Sequence, residues 1–465
     1  MARRIVIVGA GPAGIRAAET LAMAGLRPVV IDREPASGGQ IYRRPPPGFS
    51  RPASALYGED AGKATALHDV FDGLVGRMDY RPRSEVFGIT GDIVHVHDGR
   101  TLTDLPFDAL ILATGATDRI APLPGWTLPG VHSLGGAQIA LKSQGCAIGH
   151  RVVLIGSGPL LTLVAVQYAD AGADVAAVLD TASRADLARG AVHMMAARPG
   201  LLARGLRLRA RLRRHGVPYC NGVRDLRIEG AQEVERVVWR TAGGAVRSAE
   251  CDGVGMGWHL RSETQLAQLA GCALVWDAAW QQSVPMADPM GRSSRRGVYL
   301  AGDGVRILGA DGAEFAGRLA ALACLQDLGL PAVADSAPLL GRMRAMRRFA
   351  RGLAIAFPYP DRMCRALPDD TLLCRCEAIT AGQFRAVLAR SGAAEPNRAK
   401  SLSRVGMGRC QGRYCAAAAA RILAAERGLD LAEMPGLRPQ APVRPMPMSL
   451  RAAPSPPART EGDAT

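Results

Sequence analysis

The chain has 465 residues, 48% of them hydrophobic, enough for two or three domains of roughly 100–200 residues, each with its own packed core. Its formal charge of +15 comes almost entirely from arginines spread along the whole length, and only 5% of the residues are aromatic. A single-strand nucleic-acid binder needs a concentrated basic groove with aromatic stacking platforms, so nucleic acid is not an expected partner. The densest basic run, 204–214 (RGLRLRARLRR), reads as one solvated face.

At the N-terminus Arg3-Arg4 leads straight into Ile5-Val6-Ile7-Val8-Gly9, and glycines and Pro12 interrupt the apolar stretch. That pattern is not a secretory signal peptide. No apolar run approaches the roughly 18 residues of a membrane span, which leaves at most a peripheral membrane or quinone contact. The expected compartment is the cytoplasm, where the ten cysteines serve as free thiols or metal ligands. Cys146, Cys220, Cys251, Cys272, Cys324 and Cys364 stand singly and read as small buried hydrophobes.

The first chemical signal is the apolar run 5–8 followed by Gly9-Ala10-Gly11-Pro12-Ala13-Gly14, an alanine-rich helix to Met23, and a second apolar run, 28–31, ending in Asp32. Gly9 and Gly11 permit a tight turn and close approach of backbone to a pyrophosphate on the helix N-terminus, while Gly14 lets helix and strand pack. Asp32 lies 18 residues past Gly14, where a carboxylate accepts hydrogen bonds from an adenosine ribose. Further on, Ser37-Gly38-Gly39-Gln40, Ala113-Thr114-Gly115 at the end of the strand 109–112, and Gly297-Val298-Tyr299-Leu300-Ala301-Gly302-Asp303-Gly304 resemble flavoprotein signatures. In glutathione-reductase-like families the aspartate matching Asp303 meets the ribitol of FAD. The resemblance marks the dinucleotide as FAD and adds Arg33 and Val86 to the residues expected around it.

A second strand-turn-helix starts at Arg151 and carries Gly156-Ser157-Gly158-Pro159-Leu160-Leu161, then a strand 175–179 closed by Asp180. Leu161 replaces the third glycine, and its bulk should push the helix from the turn. Three readings stay open for Gly156, Gly158 and Asp180: an NADH site, a site for another adenine nucleotide, or a structural domain. The expected fold is α/β with two dinucleotide-binding domains: a split FAD domain (1–144 and 285–365), an inserted NAD(P)-like domain (145–284), a small helical cysteine module (370–432) and a Pro/Arg-rich tail (433–465). Disulfide reductases of this architecture carry a CxxC pair beside the flavin. This chain has none.

The metal signal is Cys374-Arg375-Cys376 followed by Cys410-Gln411-Gly412-Arg413-Tyr414-Cys415, just ahead of an alanine-rich helix 416–427. Two close cysteine pairs supply what a four-cysteine [2Fe–2S] cluster requires, and the positive helix end and Arg375, Arg404, Arg409 and Arg413 would stabilise its thiolates. A structural zinc site is the alternative, although CxC with Cx₄C departs from the usual zinc knuckle.

The segment from Leu373 to Cys415 resembles the module of bacterioferritin-associated ferredoxin. It is closer still to the version fused to the flavoprotein A (alpha) subunits of opine oxidases, D-hydroxyproline dehydrogenases, dye-linked proline dehydrogenases and hydrogen cyanide synthase. The match extends to Gly38-Gly39-Gln40-Ile41-Tyr42-Arg43 and Pro124-Gly125-Trp126-Thr127-Leu128-Pro129-Gly130-Val131. It implies an amino-acid-oxidase-like beta subunit that takes hydride from the carbon beside a substrate amine, a further small ferredoxin-like subunit, and electron flow through flavin and iron–sulfur centres. Gly257-Trp258-His259-Leu260-Arg261 departs from the family's more apolar pattern, and His132, His193, His215 and His259 each stand alone. No residue pair is nominated for amine oxidation, so the catalytic residues are left unassigned. The rival readings are a self-sufficient NAD(P)H-dependent FAD/iron–sulfur reductase and a non-catalytic redox sensor.

Overall fold

The computed structural model describes residues 3–49 and 51–452. Its first layer is a parallel sheet in the order Val298–Leu300, Ala109–Leu112, Ile5–Val8, Val29–Ile31, Asp79–Arg81. The strands IVIV and ALIL are buried at every position, because a parallel sheet is covered on both faces and needs continuous apolar runs. Helix Pro12–Met23 packs on this sheet beside Gly309–Asp327, close enough that a Cβ on Gly317 would lie 2.0 Å from the Ala13 carbonyl oxygen.

A second parallel sheet follows the order Tyr219–Asn221, Asp174–Asp180, Arg151–Ser157, Gly253–Trp258, Val131–Ser133. Two short antiparallel strands, Ala116–Asp118 and Leu260–Ser262, join the two sheets' territories. The cysteine module shares its core with the second fold. Phe384, Leu388, Ile422, Cys374 and Cys415 share one buried cluster with Trp126, Ile155 and Trp258 of the second fold.

The basic run lies on helix Pro199–Arg214, where only Leu212 is buried. It is solvated in part: Arg204 pairs with Asp60 at 2.7 Å, and Arg211 with Asp170 at 2.8 Å. The isolated cysteines are not uniformly buried. Cys251, Cys272, Cys324 and Cys364 are, but Cys146 is exposed and Cys220 half-buried, because they sit at a domain-edge turn and on an edge strand. The Pro/Arg-rich tail crosses the body as a strap. Val443 is buried beside Val86 and Ile89 and donates to the Phe87 carbonyl, and Arg444 pairs with Glu85 at 3.1 Å. Disorder is expected beyond Pro447, yet Arg451–Ala452 pair with the strand Thr101–Pro106; residues 453–465 lie outside the described residues. Among the described residues no helix is long and apolar enough to cross a membrane.

Candidate redox site

Four segments distant in sequence meet at the N-terminus of helix Pro12–Met23. The strand Ile5–Val8 delivers Gly9, whose φ of +108° only glycine adopts readily and whose Cβ would lie 2.3 Å from the Ala113 carbonyl oxygen. A Cβ on Gly14 would lie 1.8 Å from the Gly9 oxygen, one on Gly39 would lie 2.9 Å from Gly11, and one on Gly302 would lie 2.9 Å from the Ala13 side chain. Gly11 is different, for a Cβ there would have ordinary clearance, 3.6 Å from Gly39. The glycines thus pack the turn against residues 39, 113 and 302 while space remains at Gly11 itself, the position where a pyrophosphate approaches the backbone.

Asp32 accepts from the Ala10 N–H at 2.5 Å and from Glu34 at 2.7 Å. Its side chain is only partly covered, which leaves carboxylate lone pairs for a ribose. Arg33 is exposed and pairs with Glu34, Gln40 is exposed and accepts from Arg43, and the Val86 side chain lies in the core, so only its backbone is left for a ligand. One oxygen of Asp303 accepts from Leu308 and Gly309. Burial pushes its carboxyl up to about 6, against which those two N–H groups act.

The second strand-turn-helix repeats the form of the first with different surroundings. Asp180 has no exposed surface, and its oxygens accept from Ser157 at 2.9 Å, Ala182 at 2.9 Å, Tyr219 at 2.9 Å and Asn221 at 3.4 Å. Leu161 is fully buried in that fold's core. His259, with φ +64°, lies across the glycine turn: a Cβ on Gly158 would be 3.1 Å from its ring. Its ring packs on Trp280 at 4.4 Å, its Nδ1 accepts from Leu260, and its Nε2 has no partner among the described residues. Burial and the neighbouring Arg119 hold this imidazole neutral, lowered to about 3. His132, His193 and His215 are exposed.

The four module cysteines come together two by two. Cys374 pairs with Cys415, and Cys376 with Cys410, while backbone N–H groups of Cys376, Glu377 and Gly406 approach the Cys374 sulfur. The Cys415 contact draws Cys374 down to about 5 and pushes Cys415 well up. Gly408 allows the two loops to close, since a Cβ there would stand 2.3 Å from the Cys376 Cβ. Among the described residues no group of three or more His, Cys, Asp or Glu side chains is arranged to hold one metal ion. Of the nearby arginines, Arg375 stacks on Tyr414 at 4.0 Å, Arg404 pairs with Glu377 at 2.7 Å, Arg409 is exposed, and Arg413 is buried.

Two residues absent from the sequence reading, Glu263 and Gln265, connect the 113–115 turn region with the cysteine loop. Glu263 is held by its backbone to the 113–115 turn: its N–H donates to the Gly115 oxygen and its carbonyl accepts from the Thr114 hydroxyl at 2.8 Å. Its carboxylate accepts from Arg413 Nε at 2.6 Å. Burial alone would raise that carboxyl, but Arg413 and Arg261 outweigh it and hold it down. Arg261 in turn donates to the Arg413 carbonyl, and Gln265 to that of Gln411. The cysteine loop therefore docks on the segment at and just after the strand Leu260–Ser262, the antiparallel partner of the strand Ala116–Asp118 that leaves the Ala113-Thr114-Gly115 turn.

The family model described as pyridine nucleotide-disulphide oxidoreductase matches residues 3–320. The chain belongs to this flavin-dependent oxidoreductase family. Among its relatives, the A-subunit of opine oxidase from Rhizobium meliloti is 39% identical over 95% of this chain and 86% of its own. The corresponding opine oxidase polypeptide of Agrobacterium tumefaciens is 39% identical over 95% and 90%, and the hydrogen cyanide synthase subunit HcnB of Pseudomonas aeruginosa 32% over 96% and 97%. The L-proline dehydrogenase of P. horikoshii shares the fold at TM-score 0.68 and 19% identity, covering 96% of this chain and 80% of that one. The thioredoxin reductase of T. acidophilum shares it at 0.51 and 20%, covering 70% and 99%. The α/β oxidoreductase fold with parallel sheets and FAD as the family's flavin agree with the sequence reading.

Proposed function

We propose that the chain is the FAD-bearing electron-transfer subunit of a heteromeric amine or amino-acid dehydrogenase of the opine or hydroxyproline type, relaying electrons through flavin and a [2Fe–2S] cluster to a quinone-type or dye acceptor. FAD would be held by Gly9, Gly11, Pro12, Ala13, Gly14, Asp32, Arg33, Gly39, Gln40, Ala113, Thr114, Gly115, Gly302, Asp303 and the Val86 backbone; the cluster would be held by Cys374, Cys376, Cys410 and Cys415. Bound in these places, a flavin accepts two electrons at once and a [2Fe–2S] cluster carries one. The observation that carries the reading is the docking of the cysteine loop on the Thr114–Gly115 turn through Glu263 and Arg413, because a relay needs its two centres held side by side. The naming of the relatives as subunits supports an amino-acid-oxidase-like beta subunit, with the amine site in that partner, and a small ferredoxin-like subunit beside it.

The test is anaerobic. The chain is purified alone and together with its partner, and the flavin absorption band is followed after an opine or a proline derivative is added. The band is expected to bleach only with the partner present; bleaching of the isolated chain by the amine would place the substrate site here and overturn the division of labour.

Asp303 adds a pH dependence. Its folded carboxyl lies near 6, and ribityl hydroxyls donating to it favour the charged form, so binding FAD releases a proton. Affinity of the apoprotein for FAD is then expected to rise by at most about tenfold per pH unit up to pH 6 and to level off above it. Fluorescence-quenching titrations at a series of pH values check this; a flat profile would remove Asp303 from the flavin contacts.

A further inference from the structure

The ion pair between Glu263 and Arg413 joins residues 150 apart in sequence, with side chains 7% and 9% exposed. A buried ion pair loses hydration that its attraction barely recovers, and apolar packing of the same volume is often as stable. A seam needed only for cohesion has no use for one, least of all beside the large shared core already described. What the pair does add is a fixed geometry. On one side Glu263 is bonded at N–H and C=O to the flavin-cleft turn, and Gly304, next to Asp303, packs on the same Thr114: a Cβ there would be 2.7 Å from its hydroxyl. On the other side Arg413 stands between two of the module's cysteines and donates to the Cys410 carbonyl at 3.3 Å. The strap closes the third side, where Val443 accepts from Arg413 at 2.9 Å and Arg444 comes within 3.8 Å of Glu263.

We propose that Glu263 and Arg413 are positioning residues that hold the cysteine loop at a set separation from the flavin cleft and so control the passage of electrons between them. The inference rests on the relay reading above. In each passage the reduced flavin loses one electron and one ferric iron of the cluster gains it; the second electron follows once a one-electron acceptor, ferricyanide, has drawn off the first.

The test uses the full chain carrying FAD and iron. The flavin is reduced in a light flash with EDTA as the electron donor, and recovery of the flavin band is followed against appearance of the cluster's paramagnetic signal. Removing the Glu263 charge leaves Arg413 uncompensated near the cysteines, which favours the more negative, reduced cluster and raises its potential. Glu263→Gln is therefore expected to raise the potential yet slow electron passage by about tenfold, the scale of losing one outer-shell partner. A slower transfer against a larger driving force is a geometric effect that altered stability or potential alone would not produce. Glu263→Asp, which keeps the charge, should return the potential, and Arg413→Lys should slow passage at nearly unchanged potential. Unchanged passage in both Glu263→Gln and Arg413→Lys at full flavin and iron content would overturn the inference while leaving the relay intact. A wild-type chain that binds no iron would overturn the relay, and the inference with it.

Discussion

NADH or NADPH added without air to the purified chain is expected to leave its flavin band unbleached, at less than about 0.01 s⁻¹ against the ~1–10³ s⁻¹ at which enzymes commonly turn over. Three features of the second nucleotide fold give this result. A ribose needs a carboxylate with free lone pairs, but all four contacts of Asp180 are made inside the protein, to Ser157, Ala182, Tyr219 and Asn221. A pyrophosphate needs open backbone at the glycine turn, but the His259 ring lies against Gly158, neutral and therefore without charge to offer a phosphate. The helix that would supply N–H groups carries the buried Leu161 where a small residue allows close packing. Rapid bleaching by either nicotinamide would defeat the relay reading and promote the self-sufficient reductase. A direct binding measurement separates the remaining readings: heat release on adding ADP or ATP, with no bleaching, would mark a nucleotide site without hydride transfer.

The contrast between the two nucleotide folds also shows what was legible in the sequence. The first fold reads clearly because its demands are local: Gly9 and Gly14 are required by atoms 1.8–2.3 Å away, and no other residue type meets them. The two acids are indistinguishable as letters. Asp32 and Asp180 each end a strand after a glycine turn, and they differ because Tyr219 and Asn221, some forty residues further on, fold back onto the second alone. Glu263 was invisible for the same reason, its meaning residing in a partner 150 positions away. The departure from family pattern at Gly257–Arg261 was the single local sign, and it coincides with His259 closing the glycine turn and Arg261 reaching the cysteine loop. Helix Ala416–Arg427 and strand Ala109–Leu112 fall where composition puts them, since an alanine run and an unbroken apolar run each leave few alternatives.

Replacing Cys410 by alanine is expected to abolish iron binding and the associated visible absorption and paramagnetic signal while FAD remains bound at wild-type stoichiometry. Cys410 is the informative choice because it is half-buried, whereas Cys374 and Cys415 also belong to the shared core and their loss would mix metal binding with packing. The segments proposed to hold the flavin gather around the first sheet and its helix Pro12–Met23, so losing a thiol at the seam leaves the glycine cradle intact. In the complex with its partner, amine-dependent dye reduction should fall by more than the ~10–100-fold typical of an outer-shell change, because a ligand is removed outright. Cys146→Ala, at an exposed cysteine, should change none of these quantities. Elemental analysis gives the test its second edge: the four thiols, Cys374 beside Cys415 and Cys376 beside Cys410, match in number the four thiolates that a [2Fe–2S] cluster would take. Zinc at one equivalent in the native protein, lost in Cys410→Ala, would make the module a structural clasp, and electrons would then have to leave the flavin by another route.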